Sequence, residues 1–397
     1  MPARFRPAVL LGLAALALTA CGTAAAEAPN WQPKPDAPYA AEPDAPGPSQ
    51  PAPGTPTVPP ANPQSPGQTS PAPSPTGSPV DPNVLATNLT QPYGLVLLPD
   101  GTGLVGERTT GKVLQVQPQA GQPTPVVQTV TGLDAAGDGG LLDLAIAPTY
   151  GETGLVYAYV TTAAGNAVVT FTLGGPVTTV LTGIPKGPTG NAGRIGFDAA
   201  GDLLVATGTA GQPVTATSLN GKVLRYDDVG RAATDNPTSG SPVFSTGLQG
   251  AEALCAVPTD DGGPVGATLL VGVGASGQVQ VAASGEAVTG PVATLPAGFT
   301  GLGGCAVQGD QLFVSSLDGK AVLGADLAAT ASGGVEVGTF TPTVRNTYGR
   351  LRTVVAAPDG TLWVTTSNKD GKGTPVATDD RVVRITPSGG GGGESKA

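Results

Sequence analysis

The chain has 397 residues, of which 61 are glycine, 41 are proline and none is histidine, and its formal charge is −10. Without histidine there is no Ser-His-Asp or Cys-His nucleophile, no imidazole general base and no His-ligated zinc or iron. The balance of 29 acidic to 19 basic residues argues against nucleic acid as a partner, because phosphate binding needs clustered cations.

The first segment has the features of a bacterial lipoprotein signal. Arg4 and Arg6 precede an apolar stretch, residues 8–17, which is too short to cross a membrane as a permanent helix. The stretch runs into a lipobox-like Leu-Thr-Ala-Cys sequence, so residues 1–20 are predicted to be a signal peptide and Cys21 the lipidated residue. A secretory signal with a chance cysteine is the alternative. The lipid would anchor the protein outside the cytoplasm, on the outer face of the cell membrane.

Two segments are predicted to be disordered. Residues 21–82 are a Pro-rich tether, because 19 of the 41 prolines lie in residues 28–82 with few aliphatic residues among them. A Pro-rich docking ligand is the alternative to a plain spacer. Residues 388–397 form a Gly-rich tail.

The segment between them, residues 83–387, contains six copies of one pattern, in which three short apolar strands are separated by glycine turns. The glycines of the first turn in each copy lie about fifty residues apart and are Gly101, Gly151, Gly201, Gly262, Gly309 and Gly360. Such a period is typical of a β-propeller, so an all-β, six-bladed β-propeller with few helices is predicted. For a β-helix the period is too long, and for two sandwiches it is too regular.

The ring is expected to close through its first strand. Residues 84–86 are predicted to form the outermost strand of the last blade and to pair with residues 382–385, which would cover both terminal edges.

Two cysteines occupy equivalent positions in consecutive repeats. Cys255 and Cys305 both lie on the first apolar strand of their repeat, and such strands converge toward the propeller axis. In an exported protein this favours a disulfide between them, and two buried free thiols are the alternative.

Several segments together resemble one family over nearly the whole repeat region. They are residues 91–101, 137–142, 183–195, 219–225, 236–242, 348–352, 357–364, 367–371 and 379–385. These segments are similar to the quinoprotein glucose/sorbosone dehydrogenase family, whose members are six-bladed propellers that oxidise sugars with pyrroloquinoline quinone (PQQ) and calcium. With the lipobox, the tether and the paired cysteines, the chain further resembles LppZ-type lipoproteins of high-GC Gram-positive bacteria, a divergent branch.

The resemblance implies a catalytic site that this chain has lost. Active members use a histidine to take the proton of the sugar hydroxyl and an aspartate to orient that histidine. Here Gly190 stands at the histidine position and Thr209 at the aspartate position. Gln249 and Asp318 stand where the family places cations beside the cofactor. No catalytic residue is therefore expected.

Four residues remain as candidates for cofactor binding: Arg350, Arg352, Asp138 and Lys320. The two arginines alternate along a predicted inner strand, so both are expected to face the channel. Lys320 is expected on the same face as Asp318. A purely structural network of the arginines with Asp318, Asp138 or Glu252 is the alternative.

Carboxylates near the end of the repeats offer the oxygen ligands that calcium prefers. Asp370, Asp379 and Asp380 are the candidates, and solvated loop charges are the favoured interpretation of them.

The predicted function is that of an envelope lipoprotein whose propeller binds without catalysis. Its partner would be a small carbohydrate, an anionic ligand or an envelope protein, and no bound cofactor is expected. The alternative is an active aldose dehydrogenase dependent on PQQ and calcium, with another base such as Asp138.

Overall fold

Six antiparallel sheets succeed one another along the computed structural model, which describes residues 81–257, 269–288, 290–330 and 334–387. The predicted signal peptide, Cys21, the Gly-rich tail and all of the tether up to residue 80 lie outside the described residues, as does the predicted turn at Gly262.

The first three blades have four strands each. Blade 1 contains β2 (Pro92–Leu97), β3 (Gly103–Glu107), β4 (Lys112–Val116) and β5 (Val126–Thr129). Blade 2 contains β6 (Leu141–Ile146), α1 (Tyr150–Thr153), β7 (Val156–Thr162), β8 (Gly165–Phe171) and β9 (Thr178–Ile184). Blade 3 contains β10 (Gly193–Phe197), β11 (Leu203–Thr207), β12 (Lys222–Tyr226) and β13 (Val243–Thr246).

The last three blades follow the same scheme with more variation. Blade 4 contains β14 (Ala253–Ala256), β15 (Leu269–Val273), β16 (Gln278–Ala282) and β17 (Ala293–Thr294). Blade 5 contains β18 (Leu302–Gln308), β19 (Gln311–Ser316), β20 (Ala321–Ala329), β21 (Val335–Val337) and β22 (Thr341–Arg345). Blade 6 contains β23 (Leu351–Ala356), β24 (Leu362–Thr366), β25 (Val382–Ile385) and β1 (Val84–Ala86).

The inner strand of each blade contacts the inner strands of its two neighbours, so the six blades close into a ring around a channel. The closing strand is the predicted one, because β1 pairs antiparallel with β25 through Val84 opposite Val383 and Ala86 opposite Val382. The prediction of an all-β, six-bladed propeller is thereby confirmed.

The apolar core lies between neighbouring blades, because sheets arranged around an axis pack face to face. Tyr159 and Val168 of blade 2, for example, belong to one buried cluster with Val205 and Leu224 of blade 3. Strand β11 is accordingly buried at all five positions. A strand covered on both faces has a continuous apolar sequence rather than an alternating one, as the repeats do.

The repeated turns have a common structure in blades 1 and 6. Asp100 Oδ1 accepts hydrogen bonds from the backbone and hydroxyl of Thr102, at 2.9 and 2.7 Å, and Gly101 between them has a φ of +84°. Blade 2 differs from the prediction, since Gly151 lies within α1 and the left-handed position is taken by Gly154 instead.

A disulfide joins Cys255 on β14 to Cys305 on β18, with the two Cα atoms 6.1 Å apart. It links the inner strands of blades 4 and 5. No helix among the described residues is long and apolar enough to cross a membrane.

Candidate functional site

A cavity of about 660 Å³ lies where the inner strands begin, and residues of all six blades line it. Its basic side chains are those of Arg108, Arg350, Arg352 and Lys372. Its carboxylates are those of Asp138, Glu252, Asp318 and Asp370. The cavity wall therefore carries as many positive as negative groups.

Further along the same strands the channel holds a second cavity of about 350 Å³, and Arg194 on β10 lines it. Arg194 Nε donates to the Glu252 carbonyl at 2.8 Å, and Nη1 donates to Asp143 Oδ1 at 3.3 Å and Thr353 Oγ1 at 3.4 Å. Nη2 donates to the carbonyl of Gly303. These contacts form a hub, the Arg194 side chain with its four acceptors, which ties blade 3 to blades 2, 4, 5 and 6.

In the first cavity, Arg350 is neutralised by protein carboxylates. Its Nη1 lies 2.7 Å from Asp318 Oδ1 and its Nε lies 2.8 Å from Asp370 Oδ2. The hydrogen bond from Arg350 lowers the pKa of Asp318. Because Arg350 itself is only 6% exposed, this triad has the form of the structural network considered above.

Arg352 differs from Arg350 in having no carboxylate within ion-pair distance among the described residues. Its Nε donates to Ser367 Oγ at 3.1 Å, and its guanidinium lies 4.2 Å from the ring centre of Tyr93. Burial raises the pKa of the Tyr93 phenol, while Arg352 acts in the opposite direction. Both arginines line the cavity as expected, Arg352 from β23 and Arg350 from the position immediately before that strand.

Glu252 is the carboxylate that the sequence analysis considered only as a structural partner. It immediately precedes β14 and lines the cavity, and it forms no ion pair within the described residues. Burial raises the pKa of its carboxyl group, with Arg194 and Arg352 opposing that shift. Its position just before an inner strand is the only sequence signal that would have drawn attention to it.

Asp138 fastens the loop that carries Gly190. Asp138 Oδ2 accepts the backbone N–H of Gly190 at 2.6 Å, and Oδ1 accepts from Asn191 Nδ2 at 2.5 Å. Gly190 has a φ of +76°, and a Cβ atom there would lie 3.1 Å from the backbone nitrogens of Ala210 and Gly211. The position therefore suits glycine and disfavours any side chain.

Thr209 lies next to this loop, as the resemblance implies. Its carbonyl accepts from Asn220 Nδ2 at 2.8 Å, and the following residue, Ala210, donates its backbone N–H to the Gly190 carbonyl at 2.8 Å. The two positions of the family's acid–base pair are thus adjacent, but here they carry no titratable group.

Lys320 is not part of the cavity, so the expectation for it was wrong. Strand β19 ends at Ser316, and Lys320 lies in the following turn with an exposed side chain and a φ of +50°. The alternation of faces holds only along a strand, and it does not extend from Asp318 across this turn.

The expectation of solvated loop charges was also wrong for Asp379 and Asp380, which are 1% and 0% exposed. Asp379 Oδ1 accepts from Arg381 Nε at 2.7 Å, and Asp380 Oδ1 accepts the backbone N–H of Asn368 at 2.6 Å. Asp370 instead pairs with Arg350. Among the described residues there is no group of three or more side chains that could hold a metal ion.

The fold is a six-bladed β-propeller with a charged cavity where its inner strands begin, and comparisons with known proteins show which family it belongs to. Residues 89–261 match the family model described as Glucose / Sorbosone dehydrogenase. The PQQ-bound aldose sugar dehydrogenase of Streptomyces coelicolor is 30% identical, and the match covers 77% of this chain and 97% of that one with a TM-score of 0.69. A Thermus thermophilus protein named as a putative oxidoreductase (glucose dehydrogenase) is also 30% identical, covering 77% and 99% with a TM-score of 0.67.

The chain belongs to the glucose/sorbosone dehydrogenase family. The aldose sugar dehydrogenase of Escherichia coli is 30% identical over 200 residues, which are 45% of this chain and 54% of that protein. The chain thus spans about half the length of this curated relative. The finer resemblance to LppZ-type lipoproteins stays a prediction.

Proposed function

We propose that this protein is a non-catalytic, ligand-binding member of its family, held on the outer face of the cell membrane by a lipid on Cys21. The observation that carries the first part is the backbone at Gly190, where the resemblance places the proton acceptor. That residue is left-handed, close to the backbone of Ala210 and hydrogen-bonded to Asp138, so the site is built around the missing side chain.

The loss of a proton acceptor is a large loss for an alcohol oxidation, since a general base contributes about 10²- to 10⁴-fold in rate. Asp138 is poorly placed to replace it. Both of its oxygens accept hydrogen bonds from the Gly190–Asn191 segment, so its carboxylate serves to hold that loop.

The charges of the cavity do not suit PQQ, which carries three carboxylates. Arg350 is taken up by Asp318 and Asp370, and the Arg108 guanidinium donates to Gln91 Oε1 at 2.8 Å and to the Gly139 carbonyl at 2.6 Å. Charge-assisted hydrogen bonds contribute about 1.5–3 kcal/mol each, and the cavity offers few that are not already made. The residues present therefore do not fit this cofactor.

Cofactor reconstitution tests the proposal. The full chain is incubated with PQQ and calcium, and quinone absorbance and dye reduction with glucose are measured; the Streptomyces coelicolor enzyme, treated identically, is the positive control. We expect neither saturable quinone binding nor dye reduction. Turnover within tenfold of the control would overturn the proposal.

An active aldose dehydrogenase is the second candidate, and it has one observation in its favour. Glu252 lines the cavity, and burial raises the pKa of its carboxyl group. A raised carboxyl pKa is typical of a general base. If the chain is active, Glu252→Gln should remove turnover, whereas Lys320→Gln, outside the cavity, should not.

The anchoring part of the proposal rests on the lipobox-like sequence before Cys21. We expect the wild-type chain to fractionate with membranes and Cys21→Ala to be released. Equal distribution of the two proteins would contradict the lipid anchor without bearing on the ligand site.

A further inference from the structure

The charges around the first cavity are distributed unevenly around the ring. The basic side chains come from blades 6 and 1, as Arg350, Arg352, Lys372 and Arg108. Apart from Asp370, the carboxylates come from blades 2, 4 and 5, as Asp138, Glu252 and Asp318. We call the part of the cavity wall formed by blades 6 and 1 its positive side and the part formed by blades 2, 4 and 5 its negative side.

Most of these charges already have partners within the protein. Arg350 is paired with Asp318 and Asp370, Asp138 holds the backbone of the Gly190 loop, and the Arg108 donors are occupied. Lys372, Arg352 and Glu252 have no ion-pair partner among the described residues. Lys372 is exposed to solvent, whereas Arg352 on the positive side and Glu252 on the negative side are half-buried in the cavity wall. These two are therefore the groups within the wall that are left to engage a ligand.

The Glu252 side chain occupies space that a glycine of the cavity wall leaves free. A Cβ atom at Gly274, another residue of the cavity wall, would lie 2.5 Å from Glu252 Cγ. The absence of a side chain at Gly274 is therefore what leaves room for the Glu252 side chain. A half-buried carboxylate in such a position is stabilised by a cationic hydrogen-bond donor.

Arg352 has the complementary arrangement. Its guanidinium lies over the Tyr93 ring, and Ser367 holds Nε, which orients the planar group. A guanidinium on an aromatic face is well suited to bind a planar carboxylate through two hydrogen bonds. Tyr93 itself lines the cavity and provides a flat surface beside that site.

We propose that the cavity binds a zwitterionic small molecule of monosaccharide size, with its ammonium group at Glu252 and its carboxylate at Arg352. This inference rests on the proposed function, that of a binding protein without catalysis. The volume of about 660 Å³ lies within the range of about 300–1,000 Å³ found for small-ligand sites, so a substituted amino sugar fits.

Binding of four monosaccharide probes distinguishes the contributions of the two charged groups of the ligand. Muramic acid carries an ammonium and a carboxylate, glucosamine only an ammonium, glucuronate only a carboxylate, and glucose neither. Titration calorimetry of the full chain is expected to show muramic acid binding about 10- to 100-fold more tightly than glucosamine or glucuronate, and glucose most weakly. Equal binding of muramic acid and glucuronate, or no binding of any probe, would overturn the inference.

Paired variants assign each charge to its residue. Glu252→Gln should abolish the preference for muramic acid over glucuronate, and Arg352→Gln should abolish its preference over glucosamine. Lys320→Gln, an exposed change outside the cavity, is the control and should preserve both preferences. Preserved preferences in a folded Glu252→Gln or Arg352→Gln variant, with folding checked by its thermal transition, would contradict the assignment.

Different results would contradict the non-catalytic function and the zwitterionic ligand. Sugar oxidation by the PQQ-loaded wild type would contradict the proposed function whatever the probes show. Loss of selectivity among the four probes, without turnover, would contradict only the zwitterionic ligand.

Discussion

The two levels of the channel use arginine in opposite ways. At the hub, Arg194 is 4% exposed and donates to groups from four other blades. In the cavity, Arg352 has far fewer partners. Within the described part of the chain its guanidinium makes a hydrogen bond to Ser367 and lies over the ring of Tyr93. Both side chains arise from inner strands and lie near the same Tyr93 ring, at 5.4 and 4.2 Å. The supply of acceptors from neighbouring blades, and not the strand position, therefore decides whether a channel arginine is structural or free to bind.

The largest effect should come from removing the hub. Arg194→Met leaves Asp143 buried without its cation, and breaking a buried ion pair costs about 3–5 kcal/mol. Chemical denaturation should show this loss, whereas the matched change Arg352→Met should cost less than about 1 kcal/mol. Similar losses for both variants would remove the distinction between the two levels.

A second prediction concerns the disulfide, since Cys305 also lines the hub level of the channel. The bond joins residues 50 apart in sequence, and disulfides of this kind contribute about 2–4 kcal/mol. The double variant Cys255→Ala/Cys305→Ala should unfold at a lower denaturant concentration, and its free energy of unfolding should be lower by that amount. A reductant should lower the stability of the wild type only, and an equal midpoint for both oxidised proteins would refute the prediction.

At the cavity level, a side chain at Gly190 should be unfavourable. Gly190→Ala places a Cβ in the left-handed region, at a cost of about 1–2 kcal/mol. Gly196→Ala is the control, because that glycine lies on β10 with open space around its Cβ position. Gly190→His should likewise fail to restore sugar oxidation. Equal stability of the two alanine variants would contradict a site built around glycine.

The smallest predicted change in stability is a gain and not a loss. Burial raises the pKa of Glu252, so the folded state binds its proton more tightly than the unfolded chain does. Ionisation therefore costs stability as the pH rises above the unfolded value of about 4.3. Glu252→Gln should stabilise the protein at neutral pH by about 1 kcal/mol and should have little effect below that value. Thermal unfolding at about pH 3.5 and pH 7 measures the difference, and a destabilised variant at neutral pH would show that Glu252 already has a protein partner.

Most of the fold could be predicted because a propeller repeats one local pattern. The fifty-residue period determines the blades, and the need to cover two open edges predicts the pairing of β1 with β25. Equivalent positions in neighbouring repeats likewise predict which residues meet across blades. Cys255 and Cys305 are such a pair, and the structure joins them.

The site was less predictable because many of its polar residues lie in the turns and loops that flank the strands. Lys320 lies within the turn after β19, so alternation from Asp318 did not apply. Asp380 is bonded to the backbone N–H of Asn368 at the other end of the same long loop, and the hub depends on carbonyls such as that of Gly303, which carry no signal of residue type. Arg194 within an otherwise apolar inner strand was the available sign of a buried charge.

The pairing of β1 with β25 also constrains how the protein is made. Val84 is synthesised about 300 residues before its partner Val383, and at roughly 5–20 residues per second this delay is about 15–60 s. Until blade 6 is complete the ring stands open, so blade 1, and blade 5 once it has formed, each present to solvent the apolar face that blade 6 later covers. A nascent chain of this kind is exposed to aggregation until its last strand emerges, so we expect its yield in cells to depend on chaperones more than its final stability would suggest.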